Sequence, residues 1–405
     1  MAKEKLFKGG EFLITDALPE EVFTPEDYSK DQRLVAQSAE EFAIKELQSK
    51  SEQLREVNYQ LVKEMLLKAG ELGFLGADMP EVFGGSELDK VSSMLIGEKL
   101  CYGVSGFMAA YGVQTGIGSL PIVLFGSPEQ KKKYLPRIAS AEIVAAYALT
   151  EPGHGSDALG AETRAALSDD GKHYILNGTK RFISAADLEG PIVIFAKDDE
   201  TNFPTGFMVE KFCPGYSVSE PWHKIGMRGG TMTDVYLKDV RVPAANMLGP
   251  KGQGYWVLQA GIAFGKIGVS SGALGGMQAA LDLCIKYAKE KQHRDKTIAK
   301  FQGVQMDIAK IAEKTEAARW LCYRLGCLAE TSKDLRLFAK EAALTKSFVT
   351  EAAVDVSRLA IAIHGSYGVM QDYAVERIYR DMIIGEQVEG VADLQRVITA
   401  SILLG

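Results

Sequence analysis

The sequence predicts three consecutive parts: an N-terminal all-α domain over 1–143, a middle antiparallel β domain over 144–250 and a C-terminal α-helical bundle over 251–405. Three observations predict it. Apolar residues recur at helical spacing up to about Ala141, give way to alternation and turn dipeptides from Val144 to Val242, and return to helical spacing after Pro243. No βαβ alternation appears. The nearest approach to a dinucleotide fingerprint, Gly252-Gln253-Gly254, lacks a third glycine and follows a turn over Leu248 to Lys251, so a doubly wound nucleotide fold fits poorly. A chain of 405 residues exceeds one typical core, and two or three packed units are expected.

In order, Thr24-Pro25-Glu26-Asp27 reads as an N-cap with Pro at the first helical position. A helix follows to about Gln48, with Leu34, Phe42 and Leu47 among its apolar positions. A second spans about Tyr59 to Leu72 and stops at Gly73. Two Gly- and Ala-rich helices are expected over Asp89 to Phe125, and Ser127-Pro128-Glu129 opens a short amphipathic one ending near Ile138. Strands are read in HYILNGTKRFIS, PIVIFAK, GFMVEK and DVYLKDVRV, with turns at Asp170-Gly171 and Asn177-Gly178. Helices are then expected over about Gly254–Gln292, Phe301–Thr331, Lys333–Ile363, Ala374–Met382 and from Val391 on.

Composition narrows the function. Hydrophobic residues at 46% and charged ones at 24% are ordinary for a soluble globular protein, and a net charge of −7 supplies no basic surface for nucleic acid. Lys131 to Lys133, the one basic run, reads as a solvated helix face. Five cysteines without a CxxC suggest reduced thiols in a cytoplasmic protein, and five histidines without ligand spacing give no metal site. No signal peptide is read at the N-terminus. The apolar stretch Val257–Leu281 is broken by Gln259 and Lys266 and fits close helix packing better than a membrane span.

The least replaceable wording is Tyr147–Asp157, YALTEPGHGSD. Pro152 fixes one backbone angle and Gly153 and Gly155 free others, leaving N–H groups and hydroxyls to face a ligand. The plainer alternative is a strand-to-loop exit capped by Ser156 or Asp157.

The α–β–α order, this stretch and RIYRDMIIGEQVEGVADLQR (377–396) together resemble the acyl-CoA dehydrogenase family over nearly the whole chain, from about Phe23 to Leu404. Val104 to Ala148 is closest in tone to long-chain and very-long-chain members, without the latter's C-terminal extension. The resemblance implies an FAD enzyme that forms a Cα=Cβ double bond in an acyl-CoA thioester, in fatty-acid or related acyl-CoA oxidation. It implies Glu389 as the base, with its backbone N–H helping to hold the thioester oxygen. An apolar pocket would raise the carboxyl pKa, as the base requires, and hydrogen bonds would polarise the carbonyl. Without the resemblance, Glu389 reads as a carboxylate before the last helix, a role open to Glu386 as well. By the same resemblance Tyr147, Leu149, Thr150 and Ser156 line the flavin, Phe182 and Ser184 lie against its ring, and Ser156, Lys266 and Gly390 meet substrate. Phe182 stands where the family carries Trp; the plainer alternative is a hairpin core residue.

Departures gather on the ADP half of FAD, which in the family a neighbouring subunit reaches. Lys291-Gln292-His293-Arg294-Asp295 replaces Arg-x-x-Phe-Gly, so a point charge stands for a bidentate guanidinium, although Gln302 is retained. Ala362 and Ser366 replace a Gln and a Gly, Val391 a Thr, and Lys266 an Arg. Four readings follow: a working FAD dehydrogenase passing electrons to an electron-transfer flavoprotein, as a homodimer or homotetramer; one subunit of a hetero-oligomer whose partner completes the FAD site; an acyl-CoA-binding paralogue without turnover; and an oxidase or desaturating enzyme on an unusual CoA ester.

Overall fold

The computed structural model describes residues 27–102, 106–332 and 334–405. The first helices are α1 (Lys30–Phe42), α2 (Tyr59–Glu71), α3 (Lys90–Cys101), α4 (Met108–Thr115), α5 (Leu120–Phe125) and α6 (Pro128–Ala139). The strands β1 (Ala146–Ala148), β2 (Arg164–Leu167), β3 (His173–Ser184), β4 (Pro191–Asp198), β5 (Pro204–Glu210), β6 (Tyr216–Val218), β7 (Met232–Pro243) and β8 (Met247–Leu248) follow. The 37-residue helix α7 (Gly254–Glu290) leads through a small hairpin, β9 (Gln292–His293) and β10 (Lys296–Thr297), to α8 (Gln302–Thr331). The chain ends with α9 (Leu335–His364), α10 (Ala374–Gln387) and α11 (Ala392–Leu404). The order is helices, β domain, helices, as the sequence predicts.

Several details differ from expectation. The cap at Thr24 lies outside the described residues; α1 starts at Lys30, where Ser29 accepts from the Gln32 N–H and the Gln32 side chain returns the bond. Phe42 and Leu47 are buried, but Leu34 is exposed. Asp89–Phe125 holds three helices, not two, because Gly116–Ser119 breaks the last stretch. Asn177-Gly178 does not turn the chain. It sits inside β3 as a bulge, where Gly178 has φ +153 and a Cβ would lie 2.4 Å from Thr163 Oγ1. Asp170-Gly171 does turn it, with Gly171 at φ +66.

The contacts divide the chain into two compact units. One comprises Lys50–Leu88 and Gly106–Gly265 and holds an eight-stranded sheet ordered β6-β7-β3-β2-β4-β5-β8, with β1 also on β4. Most pairs are antiparallel, but β1 and β2 both run parallel to β4, at Ala146–Ala148 and Arg164–Ala165. Alternate residues of β4 enter two different cores. Ile192 and Ile194 face the sheet interior with Phe207 and Val209, whereas Val193 and Phe195 pack with Tyr134, Leu135 and Ile138 of α6. Both faces of β4 are therefore covered, which explains its unbroken apolar run.

The other unit contains the described residues of Met1–Ser49, Asp89–Ser105 and Lys266–Gly405. Here Arg319 of α8 donates to Glu98 of α3 at 2.6 Å, and the Tyr323 hydroxyl donates to the same carboxylate at 2.6 Å. A Cβ at Gly275 would stand 2.1 Å from Glu98 O, so the small residues of α7 allow α3 to approach. By length and hydropathy α7 meets the test for a membrane-crossing helix, yet 67% of its most apolar window is buried within the protein. Helix packing accounts for its composition. The thiols of Cys101, Cys284 and Cys322 are buried.

Candidate active site

The stretch Tyr147–Asp157 leaves β1 and is tied to β3 by an ion pair that sequence reasoning missed. Lys180 and Glu151 meet at 2.7 Å with side chains 0% and 4% exposed. Lys180 Nζ also donates to Leu149 O at 3.1 Å, and Glu151 accepts the Glu162 and Thr163 N–H groups at 2.5 and 3.0 Å. Burial alone would raise the Glu151 carboxyl; Lys180 and these donors outweigh it and hold the carboxyl below its usual range. The only sequence signal was a lysine at an inward position of an alternating strand.

This clamp orders the predicted flavin residues differently. Tyr147 is mostly buried, its ring 5.2 Å from that of Phe195, and Leu149 packs on the same core. Thr150 is half-buried, and its carbonyl accepts the Arg181 N–H at 2.8 Å, which brings it beside Phe182. Ser156 is exposed, while Asp157 accepts from Gly160 N–H and caps the short helical turn after it. Ser184, half-buried, lines a small cavity with Gly229, Gly230 and Thr231.

Phe182 is not a hairpin core residue: it is 50% exposed. It takes φ +60 at an irregularity of the β3–β7 register between Lys180 and Ile183. A bulky residue in left-handed backbone at a bulge is unusual and re-aims the side chain. The Trp222 ring lies 5.5 Å from it, and Trp222 Nε1 donates to Asp234 at 3.0 Å. Asp234 also receives Arg181 at 2.9 Å, so one buried carboxylate fixes both neighbours of the exposed ring. An exposed aromatic pair with Thr150 close by suits a planar heteroaromatic ring, and these residues fit a flavin.

In the other unit, Glu389 and Gly390 form the turn between α10 and α11, with φ +53 and +89. Glu389 is half-buried as a residue, but its carboxyl end is enclosed: Oε2 is buried without a hydrogen-bond partner among the described residues. Burial pushes this carboxyl up to about 8, against the opposing charges of Lys266 and Lys346. Lys266 on α7 is 3% exposed and Lys346 on α9 is 0% exposed; burial pulls both ammonium groups below the ordinary lysine range. The structure brings Lys266 to the Glu389–Gly390 turn and adds Lys346, whose only sequence signal was a charge inside the apolar stretch ALTKSFV.

Lys291 and Gln302 lie apart from this group, after α7 and at the start of α8. Lys291 Nζ stands 4.5 Å from the centre of the Tyr367 ring, a cation–π contact, and Gln302 is exposed. Arg294 and Asp295 form the tip of the β9–β10 hairpin, with Arg294 at φ +55.

Comparison with known proteins agrees with this architecture. Family models described as the N-terminal, middle and C-terminal domains of acyl-CoA dehydrogenase match residues 29–142, 146–240 and 252–404. A probable acyl-CoA dehydrogenase of Bacillus subtilis is 39% identical over 98% of this chain and 69% of its own length. The caffeyl-CoA reductase-Etf complex subunit CarC of Acetobacterium woodii is 36% identical, covering 93% of this chain and 99% of that protein. The crystal structure of an acyl-CoA dehydrogenase complexed with FAD from Bacillus anthracis superposes with a TM-score of 0.93 at 38% identity, over 98% of this chain and 71% of the other.

Proposed function

Since the chain belongs to the acyl-CoA dehydrogenase family of FAD-dependent oxidoreductases, we propose that it desaturates the Cα–Cβ bond of an acyl-CoA thioester with Glu389 as the base. The observation that carries this reading is the enclosed, unpartnered carboxyl oxygen of Glu389 in a setting that weakens its acidity. A carboxylate freed there is a stronger base than one in water, which suits an α-proton of low acidity. The Glu389 N–H helps polarise the thioester oxygen, while Ser156, Lys266 and Gly390 contact the acyl-CoA. Thr150, Ser156, Phe182 and Ser184, with Tyr147 and Leu149 behind them, hold the flavin ring; Gln302 and Lys291 serve its ADP half. Bound FAD supplies the acceptor for the hydride leaving Cβ.

We further propose an electron-transfer flavoprotein as redox partner, a cytoplasmic setting in which the free thiols stay reduced, and an oligomer of two or four chains. The CarC relative supports the first of these, since its name places it in an Etf complex. It also supports the reverse reaction, in which protonated Glu389 returns a proton to Cα of an enoyl-CoA.

Purified protein is expected to be yellow, with one FAD per chain, and to bleach on addition of acyl-CoA. A colourless preparation that takes up no FAD, alone or co-expressed with a related subunit, overturns the proposal. FAD uptake only with the partner selects the hetero-oligomer. Assays with an electron-transfer flavoprotein and with an enoyl-CoA then fix acceptor and direction.

The pH profile is a separate expectation. The base must be ionised, and its carboxyl sits at about 8 in the folded protein. For dehydrogenation kcat/KM should therefore rise with pH, about tenfold per unit below that value, and level off above it. A profile flat from pH 6 to 9 contradicts this.

A further inference from the structure

Lys346 has no assigned role, yet it holds the turn that carries Glu389. It is wholly buried, and its Nζ donates to Glu386 O at 3.0 Å and to Gly390 O at 2.8 Å, one carbonyl on each side of the glutamate. Gln395 of α11 adds bonds to Glu389 O at 3.2 Å and Gly390 O at 3.1 Å. The turn needs such holding. Left-handed backbone is easy for Gly390 but disfavoured for Glu389, so the conformation persists only where its surroundings over-determine it. The fit is close: a Cβ at Gly390 would lie 2.3 Å from Gln395 Nε2.

We propose that Lys346 is a positioning residue for the base, pinning the 386–390 turn through two carbonyls while supplying a cation beside the carboxylate. The inference rests on the reading of Glu389 as the base. The charged groups acting on Glu389 are Lys266 of α7 and Lys346 of α9, and Lys346 itself feels Glu386 of α10 and Glu351 of α9. Lys346 joins backbone geometry to charge; Gln395 bonds the same carbonyls and carries no charge. That difference makes the two roles separable.

The experiment measures kcat and the pH profile of kcat/KM for Lys346→Met, Lys346→Arg and Gln395→Met in the FAD-loaded protein, with thermal unfolding to establish folding. Lys346→Met should lower kcat by about 10- to 100-fold, as displacement of a reacting group does. It should also move the acid limb of the profile upward by about one unit, because a nearby cation is lost. Gln395→Met should lower kcat and leave the limb in place. Lys346→Arg keeps the charge and should keep the limb while losing rate, since a planar guanidinium does not reach both carbonyls alike. Wild-type rate and limb in Lys346→Met overturn the proposal, as does a limb displaced equally in Gln395→Met. If Lys346→Met does not fold, an upward limb in Lys346→Arg overturns it and a retained limb with lower rate supports it. Retained activity in Glu389→Gln sinks the base assignment itself; loss there with unchanged Lys346 variants sinks only this inference.

Discussion

Replacing Glu389 by Gln is expected to lower kcat for acyl-CoA dehydrogenation by about 10^2- to 10^4-fold, the range that a positioned general base contributes. The substitution is close to isosteric, and the turn should survive it, because Lys346 and Gln395 bind backbone carbonyls that the variant keeps. At pH 4 and below the wild-type carboxyl is neutral in the folded protein, where it is displaced to about 8, and largely neutral in the unfolded chain, whose ordinary value is 4.5, as the amide is in both. The unfolding midpoints of the two proteins should therefore nearly coincide there. FAD content should be equal in both. Steady-state rates with an acyl-CoA and an artificial electron acceptor test the first point and thermal scans the second. Activity within tenfold of wild type removes Glu389 from the chemistry.

The second large effect is on stability. Glu151→Gln leaves the Lys180 ammonium, 0% exposed, without its anion, and breaking a buried pair from one side costs about 3–5 kcal/mol. Unfolding in denaturant at pH 7 should show this as an earlier transition. The pH dependence follows from the lysine. Stripped of Glu151, its folded-state pKa falls further below that of the unfolded chain, so in that window the unfolded state binds more protons and stability rises with pH. With Glu151 present the lysine is held at about 8, so the deficit of the variant should shrink as pH rises toward 8 and level off above it, where the lysine is neutral in both folded proteins. The double change Glu151→Gln with Lys180→Met should recover most of the loss, since no uncompensated charge stays buried. A deficit below about 1 kcal/mol in the single variant would show that the pair does not clamp the turn. FAD retention reads the same event from the functional side, because Lys180 also holds Leu149 O.

How much of this was legible in advance differs by element. The order of helices and strands was read correctly because periodicity is local: PIVIFAK and the helix start at Ser127-Pro128 declare themselves within a few residues. Asn177-Gly178 misled for the same reason. A turn dipeptide states what the backbone can do, and pairing of β3 with both β2 and β7 kept the strand going through it as a bulge. The short helices between Asp89 and Phe125 were fused because an apolar, glycine-rich stretch looks continuous until Gly116 is seen to break it.

The sequence by itself determined the class of protein, its three-part order and its family, and it singled out the glutamate and the turn on which the proposed chemistry rests. Only the tertiary structure decided what holds those residues. Lys180 lies 29 positions from Glu151, Lys346 lies 44 from Gly390, and Trp222 meets Phe182 through Asp234. Each partnership depends on burial. A lysine in a strand or helix reads as solvated until the fold removes water from around it, and only then must it find a carboxylate or a set of carbonyls. Residue type fixes which groups are able to ionise; the packing around Glu389 fixes at what pH this one does.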